Sequence, residues 1–220
     1  MKKSKTILFV DNEPLYIDNY LNVITTFFNK VRLRFITTSN CEQAYYIITR
    51  KKSIDYLILD VQLDSFKAKN INCGFELALI FKEKFPKAKI IFVTAINQDI
   101  KLIQIISKIN PAGVLHKYDI NTILLHDLFH KIIYESICYM TPTVKTIVNN
   151  YHKQFLIFDT IDLEIITLLD KGIKTKYLPN LIGITLSAIE KRKAKIKEKI
   201  LGKKGNDKEL ILHLKKQNIL

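Results

Sequence analysis

Asp60 closes the hydrophobic run Tyr56-Leu57-Ile58-Leu59. A carboxylate at the C-terminal end of an apolar run that reads as a buried parallel strand stands where open α/β sheets keep their chemistry. For a lone Asp, capping or turning the next loop is the plainer role. Three other apolar runs also lead to reactive side chains. Thr6-Ile7-Leu8-Phe9-Val10 runs into Asp11-Asn12-Glu13, Ile90-Ile91-Phe92-Val93 into Thr94, and Val114-Leu115 leads to Lys117. Brought together, Asp11, Asp60, the side-chain oxygen of Asn12 and a nearby backbone carbonyl would offer hard oxygen ligands to Mg²⁺. Asp60 could then attack a phosphoryl group and carry it as an aspartyl-phosphate. Lys117 would pair with the phosphoryl oxygens, and Thr94 would hydrogen-bond one of them.

Such convergence needs a scaffold that sets four strand ends side by side. Strand-like runs near 6–10, 32–37, 56–60, 89–94 and 113–116 alternate with helical periodicity near 14–29, 40–51, 74–85, 97–108 and 120–138. Near-continuous apolar strands separated by helices predict a parallel five-stranded sheet with helices on both faces, an α/β fold. Pro14 suits a first helical turn, and Asn40 with Gln43 three residues on has the form of a capping box. The polar loop from Asp60 to Gly74 is expected to be mobile.

After Tyr139 the pattern changes. Met140-Thr141-Pro142-Thr143 reads as a connector, and short helical units follow at about 159–171, 174–182, 185–201 and 206–217, with Gly172 ending the first. The expected division is a sheet domain at 1–138, a linker at 139–150 and a small all-α domain at 151–220. Ile189, Ile196 and Ile200 give the third helix one apolar stripe, which leaves Ser187, Lys191, Ala194, Lys195 and Glu198 on the opposite face. A positive face with small residues near its N-terminus suits a DNA major groove, so the region predicts a helix-turn-helix module. A merely solvated lysine-rich helix would carry more interleaved acids than Glu190 and Glu198.

The formal net charge is +14, and the densest basic run is Lys191 to Lys199. No apolar stretch approaches the roughly 20 residues of a membrane span. The basic N-terminus leads into a strand-like run ending at Asp11 rather than to a small-residue cleavage site. A cytoplasmic protein with no membrane partner is expected. Cys41, Cys73 and Cys138 are scattered and odd in number, which suggests neither a disulfide framework nor a zinc site.

Ile7 to Pro14, Leu57-Ile58-Leu59-Asp60, Val93-Thr94-Ala95 and Gly113-Val114-Leu115-His116-Lys117 together resemble, in order, the four motifs of the receiver domain of two-component response regulators. The resemblance covers about residues 4–138. It implies a flavodoxin-like, doubly wound sheet of strand order 2-1-3-4-5, with Asp60 phosphorylated by a sensor histidine kinase. It also implies that the backbone carbonyl of Gln62 joins Asp11, Asn12 and Asp60 around Mg²⁺. Asn12 stands where the family has a second acid, Val114 where the lysine motif has an aromatic residue, and the loop after Asp60 lacks the family's Pro. Haloacid-dehalogenase-type phosphatases also place a nucleophilic Asp after a strand, but they need an acid two residues on, where this chain has Gln62.

Phe158 to Ile166, Leu168 to Gly172 and Ile184 to Ile189 resemble the output domain of LuxR-type regulators, and Tyr139 to Val144 resembles the connector of the NarL/FixJ type. That resemblance implies a DNA-binding, dimeric transcription regulator rather than an enzyme. It places Lys191, Ala194 and Lys195 at or near the groove and makes Lys174, Lys176 and Lys199 phosphate contacts. Ala188 occupies a usual phosphate-contacting Thr position, Arg192 a usual His, and Glu190 a usually basic one. Glu190 could accept from cytosine N4 or repel phosphate. Leu210, Ile211, Leu214 and Ile219 are candidates for a dimer contact or for burial within the module. The expected function is a regulator whose Asp60 phosphorylation controls dimerisation and DNA binding. The alternative is an atypical receiver that acts as a phosphorylation-independent DNA-binding or protein-interaction module.

Overall fold

The computed structural model of the chain describes residues 4–27, 32–96, 99–132, 138–155, 158–217 and 219–220. Strands and helices alternate first: β1 (Ser4–Val10), α1 (Pro14–Phe27), β2 (Arg32–Thr38), α2 (Cys41–Arg50), β3 (Tyr56–Asp60), α3 (Gly74–Lys84), β4 (Lys89–Thr94), α4 (Asp99–Ile109), β5 (Gly113–His116) and α5 (Thr122–His130). A short β6 (Tyr139–Met140) follows, then α6 (Pro142–Phe155), α7 (Thr160–Asp170), α8 (Leu178–Ile182), α9 (Leu186–Leu201) and α10 (Asp207–Lys216). The chain divides into two compact units, residues 1–96 with 105–145 and residues 97–104 with 146–220.

The first unit is built on one parallel sheet in the order β2-β1-β3-β4-β5-β6. The α/β fold and the strand order 2-1-3-4-5 expected from sequence are what the chain forms. Every residue of β3 is buried, as an apolar run covered on both faces must be. Ile7, Phe9, Ile58, Ile91, Val93 and Leu115 face α1 and α5 through Ile17, Tyr20, Ile24, Leu125 and Leu128. Leu8, Leu57, Leu59 and Phe92 alternate with them, equally buried, and so turn to the other face. The sheet has six strands where five were expected. Tyr139 N donates to Ala112 O at 2.9 Å and Thr141 N to Val114 O at 3.2 Å, so the start of the expected linker pairs with the open edge of β5. The rest of that stretch is helix: α6 begins at Pro142, and Asp119 accepts from both the backbone N and the Oγ1 of Thr143.

Local expectations fare unevenly. Asn40 caps α2 by accepting from Gln43 N at 2.9 Å, but the Gln43 side chain accepts from Thr38 Oγ1 instead of closing a capping box. The loop after Asp60 is not the open excursion its polarity suggests. Phe66 and Ile71 form a bridge, Leu63 and Ile71 are buried, and Phe66 lies against the rings of Tyr45 and Tyr46. Gly74 closes this loop against the phosphoacceptor candidate's own backbone. A Cβ there would lie 2.1 Å from the carbonyl oxygen of Asp60, so only glycine fits.

The second unit packs α7, α8, α9 and α10 around Leu163, Ile165, Ile166, Leu178, Ile189, Ile196, Leu210 and Leu214. Asp159 accepts from Ile161 N and Asp162 N to start α7, and Gly172, at φ +75°, follows its last turn. Leu210, Leu214 and Ile219 are buried in this core. Of the two roles open to these residues, burial within the module is the one that the fold shows for Leu210, Leu214 and Ile219; Ile211 is partly buried against the same core, and Leu212 is the half-exposed apolar residue of α10. No helix of the described residues is long and apolar enough to cross a membrane.

Candidate functional site

The sheet order reverses between β1 and β3, the place where strand C-termini and their loops leave a crevice. Asp11 follows β1 and Asp60 ends β3, so the two acids flank that switch point. Lys117, just after β5, reaches across to them. Its Nζ donates to Asp60 Oδ2 at 2.9 Å, to Glu13 Oε1 at 2.8 Å and to Asp11 Oδ1 at 3.2 Å. Asp60 is only 2 % exposed, and its Oδ1 accepts from Gln62 N at 2.8 Å. One ammonium thus serves three carboxylates, an arrangement with negative charge in excess.

Electrostatics follow from burial. Desolvation raises the Asp11 carboxyl above its ordinary range, and the neighbouring Asp60 charge adds to it; the Glu13 N–H and Lys117 oppose without cancelling. Burial pulls Lys117 down, but its bonds to Glu13 and Asp60 and the charges of Asp60 and Asp11 outweigh it, leaving the ammonium above its usual value. Asp11 Oδ2 is buried without a hydrogen-bond partner among the described residues. Carboxylate oxygens of Asp11, Glu13 and Asp60 lie within 4.8 Å of one another, a hard donor set with an unsatisfied acceptor that fits a divalent cation.

The other expected residues fall into place less simply. Thr94 ends β4, fully buried, and its Oγ1 accepts from Ile96 N at 3.0 Å rather than bonding to the acids. Asn12 and Gln62 are exposed at the rim, whereas Glu13 turns into the acid cluster. Glu13 belongs to the sequence motif but was not read as a ligand, because the turn into α1 decides which of two adjacent side chains points inward. Val114 is completely buried in β5.

In the helical unit the basic run divides by face. Lys193 is buried in the apolar stripe between Ile189 and Ile196, bonded to Thr175 Oγ1 at 2.6 Å and paired with Asp207 at 2.8 Å and Glu190 at 3.5 Å. Lys197 pairs with the other oxygen of Asp207 at 3.0 Å. Arg192 grips both acids at the start of α7, Asp159 at 2.8 Å and Asp162 at 2.7 Å. Burial opposes ionisation of both carboxyls, but the Asp162 backbone N–H and then Arg192 hold Asp159 below its usual range, and Lys193 with Lys197 does the same for Asp207. What remains is Lys191, Lys195 and Lys199, spaced by four on one exposed face with Ala194, and none has an ion-pair partner among the described residues. Ser187, Glu190, Lys174 and Lys176 are exposed as well. Ala188 is partly covered, and its N–H is taken by Thr185 Oγ1, the N-cap of α9.

No family model and no curated protein matches the sequence. Solved structures do match in fold. RcsB of Salmonella enterica serovar Typhimurium, bound to promoter DNA in the presence of the phosphomimetic BeF₃⁻, has 16% identity and a TM-score of 0.62, over 96% of this chain and 98% of that one. A structure of two RcsB dimers bound to two parallel DNAs matches at 14% identity and TM-score 0.63, over 97% and 98%. ChrA, the response regulator of a heme-sensing two-component system, matches at 15% identity and TM-score 0.50, over 99% of each chain. Similarity at this level of identity establishes a shared fold over nearly the full length.

Proposed function

We propose that this chain is a DNA-binding response regulator whose Asp60 accepts a phosphoryl group. The observation that carries the reading is the buried Asp60–Lys117 pair at the sheet's switch point, beside an acid group with negative charge to spare. A phosphohistidine of a sensor kinase, or a small donor such as acetyl phosphate, would supply the phosphoryl group. An Asp60 oxygen forms the new P–O bond, and the P–N or P–O bond to the donor breaks with its electrons leaving on the donor. Asp11, Glu13 and Asp60, joined by the Asn12 side chain and the Gln62 carbonyl, are the residues that would hold Mg²⁺. When bound, the ion neutralises charge on the phosphoryl oxygens. Lys117 transfers its hydrogen bond from Asp60 Oδ2 to a phosphoryl oxygen, and the Thr94 hydroxyl, which accepts from Ile96 N, turns its own O–H to donate to another. These exchanged partners give the phosphorylated and unphosphorylated forms different contacts, which any switch requires.

RcsB, whose fold this chain shares, is seen on promoter DNA with a phosphomimetic and as dimers on DNA. The exposed face of α9, with Lys191 and Lys195 for the groove and Lys199, Lys174 and Lys176 for backbone phosphates, supports duplex DNA as the partner here too. A homodimer acting on transcription in the cytoplasm is the matching biological setting. A second reading has its own support. Val114 puts no ring where an aromatic residue would follow Thr94, and Lys117 already bonds each of the three acids, which supports a receiver that acts without phosphorylation. Duplex titration at several salt concentrations, with and without Mg²⁺ and acetyl phosphate, separates the two. The proposal expects phosphodonor to tighten or loosen binding; equal affinity in both states, with full salt dependence, would favour the second reading.

A further inference from the structure

We infer that Tyr16 is a positioning residue for Lys117, an aromatic wall that keeps the ammonium aimed at Asp60; the inference rests on Asp60 being the phosphoacceptor. The Lys117 Nζ lies 4.5 Å from the centroid of the Tyr16 ring, within the range of a cation–π contact. Its three N–H groups are already engaged by Asp11, Glu13 and Asp60, so the ring adds a contact that does not compete with them for a hydrogen bond.

The wall is held from behind. Tyr16 stacks on Tyr20 at 6.3 Å and 28°, and Tyr20 stacks on Phe9 at 6.1 Å and 18°. Phe9 and Tyr20 are fully buried, on β1 and α1, so the column runs from the sheet's core to the pocket. Tyr16 and Tyr20 are four apart on α1 and therefore share a face. Tyr16 N donates to Glu13 O, which ties the ring's position to the same turn that directs Glu13 into the cluster.

The consequence is specific to phosphoryl transfer. Lys117 must exchange its Asp60 contact for a phosphoryl oxygen, and a divalent cation would compete with it for Asp11 and Glu13. All three carboxylate contacts are then altered at once, whereas the ring contact is untouched by either event. Tyr16 is thus the constant partner that limits how far the ammonium can wander while the others change.

Three forms of the 220-residue chain are compared, wild type, Tyr16→Phe, which keeps the ring face, and Tyr16→Leu, which removes it, with Lys117→Ala serving only to assign the lysine signal. Each carries ¹³Cε-labelled lysine and is also incubated with Mg²⁺ and acetyl phosphate, with phosphorylation followed by intact mass over time. The Lys117 ε-methylene signal, assigned by its loss in Lys117→Ala, is expected to be shifted upfield by the ring current in wild type and Tyr16→Phe and to return to the ordinary lysine position in Tyr16→Leu. Phosphorylation of Tyr16→Leu is expected to be roughly tenfold slower, the scale of one desolvated cation–π contact, and that of Tyr16→Phe to stay within about twofold. A Lys117 signal without upfield shift in wild type, equal rates in wild type and Tyr16→Leu, or Tyr16→Phe as slow as Tyr16→Leu would each overturn the inference. If the wild type gains no phosphoryl group, the functional reading fails, and the ring-current shift alone decides whether Tyr16 holds Lys117.

Discussion

Lys117 and Lys193 are both buried lysines, each with a side chain only 4 % exposed, yet the charges around them balance in one case and not in the other. Lys193 and Lys197 meet Asp207 and Glu190, two ammonium groups against two carboxylates, with Thr175 taking a further hydrogen bond. The charges there balance, and the cluster joins α9 to α10. Lys117 stands alone against three carboxylates, and one of their oxygens, Asp11 Oδ2, is left over. Burial of a lysine therefore does not tell the two clusters apart; the unbalanced acid around Lys117 does, and that imbalance is what the proposed chemistry rests on.

That contrast can be broken by removing each lysine. Lys193→Ala leaves Asp207 half-served inside the helical unit and is expected to lower its stability by about 3 kcal/mol, with no recovery on adding Mg²⁺. Lys117→Ala should lower the thermal midpoint of the sheet unit by an amount corresponding to about 2 kcal/mol in the absence of metal, because three carboxylates then repel. Here Mg²⁺ should restore the midpoint, since binding to the native state alone stabilises it. Calorimetry with and without Mg²⁺ reads both, and recovery of Lys193→Ala by the metal, or none for Lys117→Ala, would erase the distinction.

The same logic sorts the lysines of α9. Lys199→Ala, at a proposed phosphate contact, should weaken duplex binding by about 1 kcal/mol and reduce the slope of log affinity against log salt by about 0.9, the signature of one lost phosphate contact. Lys197→Ala, whose ammonium faces Asp207, should leave that slope unchanged. A slope that falls equally in both variants would show that the ion pairs do not divide the helix as drawn.

The smallest effect is in pH dependence, and its sign differs between the units. Asp159 and Asp207 have depressed folded pKa values, so their stabilisation is complete above the unfolded value near 3.9 and is lost as pH falls through the folded ones. Asp11 has a raised folded pKa, so its destabilisation is present at neutral pH and is relieved as pH falls through that value. Amide exchange from pH 6 downward should therefore show the helical unit weakening below about pH 4 while the acid pocket firms first. Parallel weakening of both would contradict these assignments.

Much of this architecture was legible because the strands are near-continuous apolar runs and the helices carry their own caps. Tyr56 to Asp60 reads as a covered strand and is one, and Asn40 and Gly172 stand at helix ends. Tyr139–Met140 was not legible, since two residues carry no periodicity and their pairing depends on the free edge of β5. Lys193 was hidden in a uniformly basic run, because its partner Asp207 lies beyond the turn after α9. The site shows the same limit. The strand-end types Asp11, Asp60 and Lys117 could be read directly, but the turn of Glu13 into the acid cluster and the place of the Tyr16 ring depend on how the first turn of α1 is set.

The most direct test of the unbalanced pocket is chemical. Wild type and Asp60→Asn would be incubated with acetyl phosphate, in Mg²⁺ and in excess chelator, and weighed intact. The account predicts that wild type gains one phosphoryl group in Mg²⁺ only, that the group maps to the peptide containing Asp60, and that Asp60→Asn gains none. A wild-type protein that stays unmodified in Mg²⁺, or an Asp60→Asn variant modified to the same extent, would contradict it.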